Sequence, residues 1–339
     1  MILRYGVHMV ARFTLMLTLV FAGEMIFGLP FHTARYFRPT LLEAFGYTNT
    51  QLGDVFAVYG ILAMLAYFPG GALADRFHAR TLLAASLVAT ACGGFYMLTY
   101  PGPMGMALLY AYWGITTILL FWSALIRATR EWGGDDAQGS AFGILEGGRG
   151  VAAALLGTIG VLVLAMSMPD DVASVTDEGR RAAFRGVISM YMVAALATAV
   201  LVWFVVPPSR HAEVVNRSLF HGPIAVLRRP LVWAQASVII CAYCGFKGLD
   251  NYSLYAYQVL GMDEVDSAKL AAYATYIRPF AALLAGLLAD RWSAAKTIGL
   301  TFAALVLAYL PLSLLLPVGD AVLSVYANLF ISMFAVFSL

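Results

Sequence analysis

The chain has 339 residues, of which 61% are hydrophobic and only 12% are charged, and its mean hydropathy is +0.81. A soluble domain is roughly 45–50% apolar and has no way to hide this much apolar surface from water. The composition also excludes intrinsic disorder and a coiled coil, and three cysteines are too few for a disulfide scaffold. A net charge of +2 is too balanced to indicate a nucleic-acid partner. The remaining solvent is a bilayer, so we predict an all-α polytopic membrane protein.

Ten segments of the sequence are long and apolar enough to cross roughly 30 Å of hydrocarbon as a helix. They are residues 10–34, 52–73, 82–99, 104–126, 141–166, 185–206, 231–257, 267–288, 297–316 and 321–339. The last segment runs to the end of the sequence without a polar flank. We therefore expect a chain that is cut in or just after its tenth span, with two further spans missing.

The predicted chain divides at its longest cytoplasmic connection. Residues 1–206 form an N-terminal half of six spans, 207–229 form a central cytoplasmic loop, and 230–339 form an incomplete C-terminal half. Twelve Lys and Arg residues flank one set of predicted loops and six flank the other. Because basic residues concentrate in cytoplasmic loops, we predict a multi-pass plasma (bacterial inner) membrane protein with a cytoplasmic N-terminus.

A six-residue motif occurs at corresponding places in the two halves. The sequence GALADR at 71–76 recurs as GLLADR at 286–291, each time at the cytoplasmic end of an even-numbered span. Tyr110 and Ala111 in span 4 likewise match Tyr326 and Ala327 in span 10. Since both copies have the same membrane orientation, the sequence predicts a parallel repeat of two six-span halves.

The segment 71–80, GALADRFHAR, resembles the loop 2–3 signature of the major facilitator superfamily, G-x-L-a-D-R-x-G-R-R, with His78 in place of the second glycine. The resemblance implies two six-helix halves related by a pseudo-twofold axis, with ten of twelve spans present here. It also implies a central cavity lined by spans 1, 4, 7 and 10. The R-x-x-Q-G pattern of span 4 and the G-P-x-x-G pattern of drug/proton antiporters are absent, which disfavours drug efflux.

The repeated motif also indicates a conformational latch. Gly71 permits close contact between helices, and Asp75 follows a helix end beside the basic Arg76 and Arg80. Such a charge cluster can form in one conformation and break in another. By the resemblance, Asp75 faces span 11 and Asp290 faces the start of span 5. For the arginines, the alternative is simple anchoring in the cytoplasmic loops.

Six ionisable residues remain inside the predicted spans, where each costs several kcal/mol unless it is paired or faces water. They are Glu24, Glu146, Arg149, Lys247, Asp250 and Arg278. Glu146 and Arg149 are three residues apart in span 5, so we predict a structural or gating pair rather than substrate contact. The complete set of predicted gating residues is Gly71, Asp75, Arg76, Arg80, Glu146, Arg149, Gly286, Asp290 and Arg291.

Glu24 lies about halfway along span 1, and Gly28 and Arg35 follow on the same helical face. Two interpretations stand at this point. Glu24 carries a coupled proton, or it is a permanently paired structural residue that Arg149 or Lys247 holds.

Further candidates for substrate binding or coupling lie in spans 4 and 7. Lys247, Asp250 and Asn251 form a polar cluster between glycines in span 7. This cluster contacts a solute, or Lys247 and Asp250 satisfy each other along one helix, since they are three residues apart. Tyr110 and Trp113 in span 4 are expected to share the cavity wall, and core packing is the alternative.

Three arginines complete the candidate binding residues. Arg278 has no acidic neighbour in sequence, so it attracts an anion in the cavity or contacts Asp250 or a backbone carbonyl. Arg35 and Arg38 lie at the outer end of span 1, in a segment with a faint resemblance to the organophosphate/sugar-phosphate permease branch. Those proteins hold a doubly charged phosphate with matched basic residues, and Lys247 and Arg278 would complete the set here. Snorkelling to lipid headgroups is the alternative for Arg35 and Arg38.

The resemblance implies a secondary active transporter, and no G-x-x-x-x-G-K-[ST] motif for ATP is present. The expected substrate is a small polar, anionic organic solute that moves by alternating access, with or without proton coupling. A phosphate-type antiporter and a non-transporting solute sensor of the same fold are the alternatives. An enzyme is disfavoured because the five histidines are scattered without catalytic or metal-ligand spacing. We expect no cofactor and no metal, a monomeric chain, and solute, protons and bilayer lipid as partners.

Overall fold

The computed structural model describes residues 2–134, 138–169, 175–208 and 228–313, and the regular elements in these ranges are all helical. The α-helices are α1 (Ile2–Met25), α2 (Thr33–Tyr36), α3 (Arg38–Phe45), α4 (Asn49–Arg76), α5 (Ala79–Met97), α6 (Pro103–Gly114), α7 (Ser123–Gly133), α8 (Gln138–Ser167), α9 (Asp177–Val205), α10 (Pro230–Gly248), α11 (Tyr252–Gln258), α12 (Glu264–Ala274), α13 (Arg278–Arg291) and α14 (Ala294–Ser313). The predicted all-α class is confirmed.

Several of these helices have the length and composition of membrane spans. Within the described ranges, five are long and apolar enough to cross a bilayer, and a sixth is a pair bent by 43°. The five are Asn49–Arg76, Pro103–Gly133, Ser140–Ser167, Asp177–Val205 and Pro230–Gln258, and the bent pair is Val10–Met25 with Gly28–Tyr36. Helices also occupy the third, eighth and ninth predicted spans. The tenth, at 321–339, lies outside the described residues, so the twelve-span count stays a prediction.

The first span is broken between α1 and α2. Pro30 has no N–H for the helical ladder, and the segment Gly28–His32 adopts the wider π-helical turn. His32 N–H donates across this turn to the carbonyl of Phe27 at 3.2 Å. Gly28 fits tightly, because an added Cβ would lie only 2.7 Å from the ring of Tyr191. The break therefore occurs where helix α9 presses against the span.

The fourth predicted span is also irregular, with a π-helical segment at Ile115–Trp122 between α6 and α7. Gly114 immediately precedes it, and a Cβ there would lie 2.9 Å from the backbone oxygen of Tyr59 and 3.2 Å from the backbone nitrogen of Ala63. The Tyr59 hydroxyl in turn bonds the Thr117 hydroxyl at 2.7 Å. Close contact with α4 thus accompanies the irregular turn, and π-helical turns are frequent at functional sites.

The core of the N-terminal half is built from aromatic and aliphatic side chains between these helices. The largest fully buried side chains include Trp113, Tyr36, Tyr110, Tyr191 and Phe37. Large apolar side chains also cover the outside of the bundle, as expected for a surface that faces lipid rather than water. Several buried threonines donate to the carbonyl four residues earlier, which satisfies their hydroxyls within their own helix.

Candidate functional site

A cavity of about 580 Å³ lies between the helices of the two predicted halves. Its described wall combines eight aromatic side chains with four cationic ones and one carboxylate. The lining residues are Glu24, Phe27, Phe31, His32, Arg35, Phe56, Tyr59, Gly60, Ala63, Met64, Tyr67, Ile118, Trp122, Arg149, Tyr243, Phe246, Lys247 and Arg278. Four of the six predicted intramembrane charges line this cavity, and the other two, Glu146 and Asp250, each bind a residue that lines it.

One group of charges surrounds Glu24, and we call Glu24, His32, Glu146, Arg149 and Arg278 the Glu24 cluster. Glu24 Oε1 lies 3.0 Å from His32 Nε2 and 3.5 Å from Arg278 Nη1, while Arg149 Nε donates to Glu24 Oε2 at 3.1 Å. The Glu146 carboxylate accepts from Arg149 Nη1 at 2.6 Å and from Arg278 Nη2 at 3.4 Å. Arg278 belongs to the predicted C-terminal half, so this cluster joins the two predicted halves through Glu24 and Glu146.

Of the two interpretations of Glu24, the structure shows the paired arrangement, with Arg149 rather than Lys247 as its partner. Arg278 contacts carboxylates, so the expected contact with Asp250 or a carbonyl is corrected to Glu24 and Glu146. The predicted pairing of Glu146 with Arg149 is present. A partly buried carboxylate, at Glu146, and a fully buried one, at Glu24, thereby balance two guanidinium groups inside the bundle.

His32 is a site residue that the sequence analysis missed. It is eight residues after Glu24, which is about two helical turns and places it on the face that also carries Gly28 and Arg35. The signal for His32 is this helical periodicity, because catalytic and metal-ligand spacings do not single it out. The part of the chain that the structure describes also holds no group of three or more His, Cys, Asp or Glu side chains arranged for a metal ion.

Glycines in α8 make room for the Glu24 cluster. An added Cβ at Gly148 would lie 2.7 Å from Val20, and one at Gly150 would lie 3.1 Å from the Arg278 side chain. On the facing helix α1, a Cβ added at Gly23 would lie 3.1 Å from the Cδ atom of Arg149. The Gly23 carbonyl accepts a hydrogen bond from Arg149 Nε at 3.2 Å. Gly148 and Gly150 therefore mark close helix contacts, whereas a Cβ on Gly143 or Gly147 would have no described atom within 4 Å.

A second group of charges, the Asp250 cluster, consists of Asp250, Arg35, Arg38 and Lys247. Arg35 Nε donates to Asp250 Oδ1 at 2.6 Å, Lys247 Nζ donates to Oδ2, and Arg38 Nη1 donates to the Asp250 backbone oxygen at 3.3 Å. Arg35 and Arg38 are only 7% and 4% exposed. Snorkelling to headgroups is therefore wrong for both arginines. The pairing of Lys247 with Asp250 along one helix is present, and Arg35 adds a bond from the other half.

Aromatic rings cover two cations of the Asp250 cluster, Lys247 and Arg35. Lys247 Nζ lies 4.6 Å from the ring centre of Phe56 and 5.1 Å from that of Phe31, and the Arg35 guanidinium lies 4.6 Å from Phe246. Such distances permit cation–π attraction, which strengthens when the cation is withdrawn from water. Each of these two cations thus has a carboxylate on one side and an aromatic face on another.

Further contacts close the predicted outer side of the cavity. Arg180 Nε donates to Glu264 Oε1 at 2.7 Å, and the Glu264 side chain is only 1% exposed. The Ser253 hydroxyl donates to the Arg35 backbone oxygen at 2.9 Å. Helix α12 also packs against α8, where a Cβ on Gly157 would lie 3.2 Å from the Ala272 Cβ. The two halves therefore meet beyond the Asp250 cluster.

Three predicted binding residues lie away from the cavity. Tyr110 and Trp113 are fully buried in the core, where the Tyr110 hydroxyl donates to the Pro30 carbonyl at 2.7 Å and Trp113 Nε1 donates to the Thr90 carbonyl at 3.0 Å. The expectation that they share the cavity wall is corrected to core packing, because their polar atoms are used within the N-terminal half. Asn251 is exposed and does not belong to the described wall.

The predicted latch has a mixed outcome. No described atom lies within 4 Å of a Cβ built on Gly71, whereas Gly70 faces the backbone oxygen of Leu119 at 3.3 Å, so the contact glycine of α4 is Gly70. Asp75 and Arg76 are exposed, and Asp75 forms no ion pair with any residue of the described ranges.

The other members of the latch set differ in how they are placed. The Arg80 guanidinium lies 4.9 Å from the ring centre of Trp203, and Arg291 is exposed at the end of α13. The surroundings of Gly286 and the side chain of Asp290 lie outside what the structure describes. The gating role of all these residues stays a prediction.

The helical bundle and its central charged cavity can be compared with known families. A sequence model described as Major Facilitator Superfamily matches residues 13–339. The chain belongs to the major facilitator superfamily. This membership confirms the resemblance of segment 71–80 and the multi-pass membrane class.

Individual relatives agree with the family assignment. The inner membrane protein YqcE of Escherichia coli K12 is 29% identical over 250 residues, which are 72% of this chain and 56% of YqcE. The probable nitrate/nitrite antiporter NarK1 of Thermus thermophilus is 25% identical over 309 residues, 87% of this chain and 64% of NarK1. The chain thus spans just over half of the E. coli relative and less than two thirds of NarK1.

Solved structures show the same fold. The crystal structure of a bacterial homolog of the human lysosomal transporter Spinster, in its inward-facing and unoccupied conformation, superposes with a TM-score of 0.66. The match covers 97% of this chain and 72% of that one, at 14% sequence identity. At this identity the match establishes the fold alone.

Proposed function

We propose that the protein is a secondary transporter for a small polar, anionic organic solute, moved by alternating access of its two halves. The observation that carries the proposal is the cavity between the halves, where four cations meet three carboxylates. The cations that line the cavity are Arg35, Arg149, Lys247 and Arg278. The carboxylate of Glu24 also lines it, and the carboxylates of Glu146 and Asp250 bind cations that line it. With His32 neutral, these seven groups sum to one positive charge, while Arg38 contacts the Asp250 backbone oxygen and does not belong to the described wall. The excess among the seven groups at the wall favours an anion with one negative charge.

The proposed conformation is open toward the cytoplasm. One face of α4 lines the cavity from Phe56 to Tyr67, towards the end of α4 that we predict to be cytoplasmic. On the opposite side, the Asp250 cluster and the Arg180–Glu264 pair hold the halves together. Exposure of the solute to the other side requires these ion pairs to break and the halves to meet at the cytoplasmic end. The cytoplasmic N-terminus and the inner-membrane location belong to this proposal, supported by the distribution of Lys and Arg.

Proton coupling through Glu24 is the finer part of the proposal. Glu24 accepts from Arg149, contacts Arg278 of the other half, and lies beside His32. Neutralising Glu24 would weaken its hold on Arg278, so protonation and movement of the halves are physically linked. The alternative is a structural Glu24 that keeps its charge throughout the cycle.

The test of coupling compares two assays on Glu24→Gln in proteoliposomes. If Glu24 carries the proton, uptake driven by a pH gradient fails, while exchange of solute across the membrane survives, because exchange needs no deprotonation. Loss of both activities, or of neither, contradicts the coupling role. The matched control is Glu131→Gln, since Glu131 is a half-exposed carboxylate that binds Arg127 on the surface of α7.

A phosphate-type antiporter is the second candidate, and the relative NarK1 is by name an anion antiporter. A dianion needs two positive charges in excess, and Arg35 and Lys247 are already bound to Asp250. We therefore place the phosphate alternative second. If the protein binds the solute but produces no measurable flux of it across the membrane, the sensor alternative is favoured.

A further inference from the structure

We propose that the solute is a monocarboxylate with an aromatic body, an inference that rests on the proposed anion transport and names its substrate class. The first observation is the chemistry of the cavity wall. Among the 18 described lining residues, eight are aromatic and none is Ser, Thr, Asn or Gln. The hydroxyls available are those of three tyrosines, and the Tyr59 hydroxyl is already bonded to Thr117.

Such a wall discriminates against polyhydroxylated solutes. A sugar or sugar acid would bury several hydroxyl groups against aromatic faces, and each one left without a partner lowers affinity by about fivefold to a hundredfold. An aromatic ring loses no hydrogen bond on entering the same space. It also gains offset-stacked or edge-to-face contacts with the rings that are present.

The rings already form a template for one more aromatic group. Phe31 and Phe56 stack with their centres 5.7 Å apart and 14° between planes, and Tyr59 meets Phe31 edge-on at 4.8 Å. These rings lie beside Lys247, whose ammonium is 4.6 Å from the centre of Phe56. The arrangement places a cation and an aromatic surface within one small molecule's length. A volume of about 580 Å³ accommodates one or two rings with a carboxylate.

The carboxylate of the solute has a natural destination at Arg278. The contacts of Arg278 with Glu24 and Glu146, at 3.5 and 3.4 Å, are longer than the roughly 2.7–2.9 Å of a strong charge-assisted bond. Arg149 holds the same two carboxylates at 3.1 and 2.6 Å. An incoming carboxylate therefore competes more readily with these two Arg278 contacts than with those of Arg149. Because Arg278 joins the halves, binding there also loosens the Glu24 cluster.

The experiment measures binding to the purified protein in nanodiscs at pH 8 and constant ionic strength, by titration calorimetry. The solutes are phenylacetate, cyclohexylacetate, gluconate, phenyl phosphate and 2-phenylethanol. We expect phenylacetate to bind at least about tenfold more tightly than gluconate, phenyl phosphate or 2-phenylethanol, with cyclohexylacetate between them. Phe31→Leu should narrow the difference between phenylacetate and cyclohexylacetate, and Phe56→Leu provides a second variant if the first is unstable. The matched control is Phe68→Leu, on the exposed face of α4.

The outcomes separate the two proposals. Gluconate binding as tightly as phenylacetate overturns the aromatic body and leaves anion transport standing. Tighter binding of phenyl phosphate overturns the monocarboxylate and also leaves anion transport standing. Binding of 2-phenylethanol alone overturns the anion transporter itself. Binding of none of the five solutes overturns the substrate class. An equal effect of Phe31→Leu and Phe68→Leu shows that the template does not contact the solute.

Discussion

Asp250→Asn tests whether the Asp250 cluster holds the halves together on the predicted outer side. The Asp250 carboxylate is 5% exposed and the Arg35 side chain 9%, so both charges are withdrawn from solvent. Removing one partner of such a buried pair costs about 3–5 kcal/mol, because the other charge is left uncompensated. If the cost falls on the closed arrangement, the population open on this side rises about 10²- to 10³-fold.

The assay is the labelling rate of a single cysteine placed behind the contact. Ser253→Cys is suitable because Ser253 in α11 is fully buried and its hydroxyl donates to the Arg35 backbone oxygen of the other half. Cys92, Cys241 and Cys244 are first replaced by Ala, since all three are exposed. With the purified protein in detergent, Asp250→Asn should raise the labelling rate of Ser253→Cys with a small maleimide by about two to three orders of magnitude, the change in open population.

The matched control for this variant is Asp266→Asn. Asp266 pairs with Lys269 at a spacing of three residues, as Asp250 does with Lys247. The Asp266 and Lys269 side chains are 54% and 39% exposed, and such surface pairs contribute about 0–1 kcal/mol to stability. Asp266→Asn should therefore leave the labelling rate almost unchanged. Equal rates in the two variants, or a rate for Asp250→Asn that matches the parent protein, would refute the reasoning.

Two further changes test packing and the outer ion pair by thermal unfolding in detergent. Gly114→Ala should destabilise the protein by about 1–3 kcal/mol, because the added Cβ meets the backbone of α4. Gly71→Ala should be neutral or slightly stabilising, because no described atom lies near the added Cβ. A larger loss of stability for Gly71→Ala than for Gly114→Ala contradicts the contact between Gly114 and α4. Glu264→Gln should cost about 1–3 kcal/mol by weakening the buried bond to Arg180, while Asp177→Asn, which alters a 90% exposed partner of Arg180, should cost little. Equal losses in this second pair would show that burial of the carboxylate does not matter.

Much of the architecture followed from the sequence, because apolar length and helical period are local properties. The bilayer class and the helices at nine predicted spans depend on runs of apolar residues, which need no knowledge of neighbouring helices. The pairs Lys247–Asp250 and Glu146–Arg149 could be predicted from a spacing of three residues, which puts two side chains on one helical face.

Partners on different helices could be decided only by the tertiary structure. Arg35 meets Asp250 across 215 residues, and Glu24 contacts Arg278 of the other half, because packing of the halves brings their faces together. Local periodicity leaves such a choice open, since an arginine in a span satisfies itself equally well with lipid headgroups, a carbonyl or any acid within reach.

The same limit explains why the contacts of Tyr110, Trp113 and Gly71 in the structure differ from those predicted. Tyr110 and Trp113 lie on a span expected to line the cavity, yet contacts with Pro30 and Thr90 determine that their side chains point into the core. Gly70 and Gly71 are equivalent in the sequence, and only the rotation of α4 against its neighbour decides which one meets another backbone. The sequence determines which helices form and which residues share a face, whereas interhelical packing determines what that face contacts.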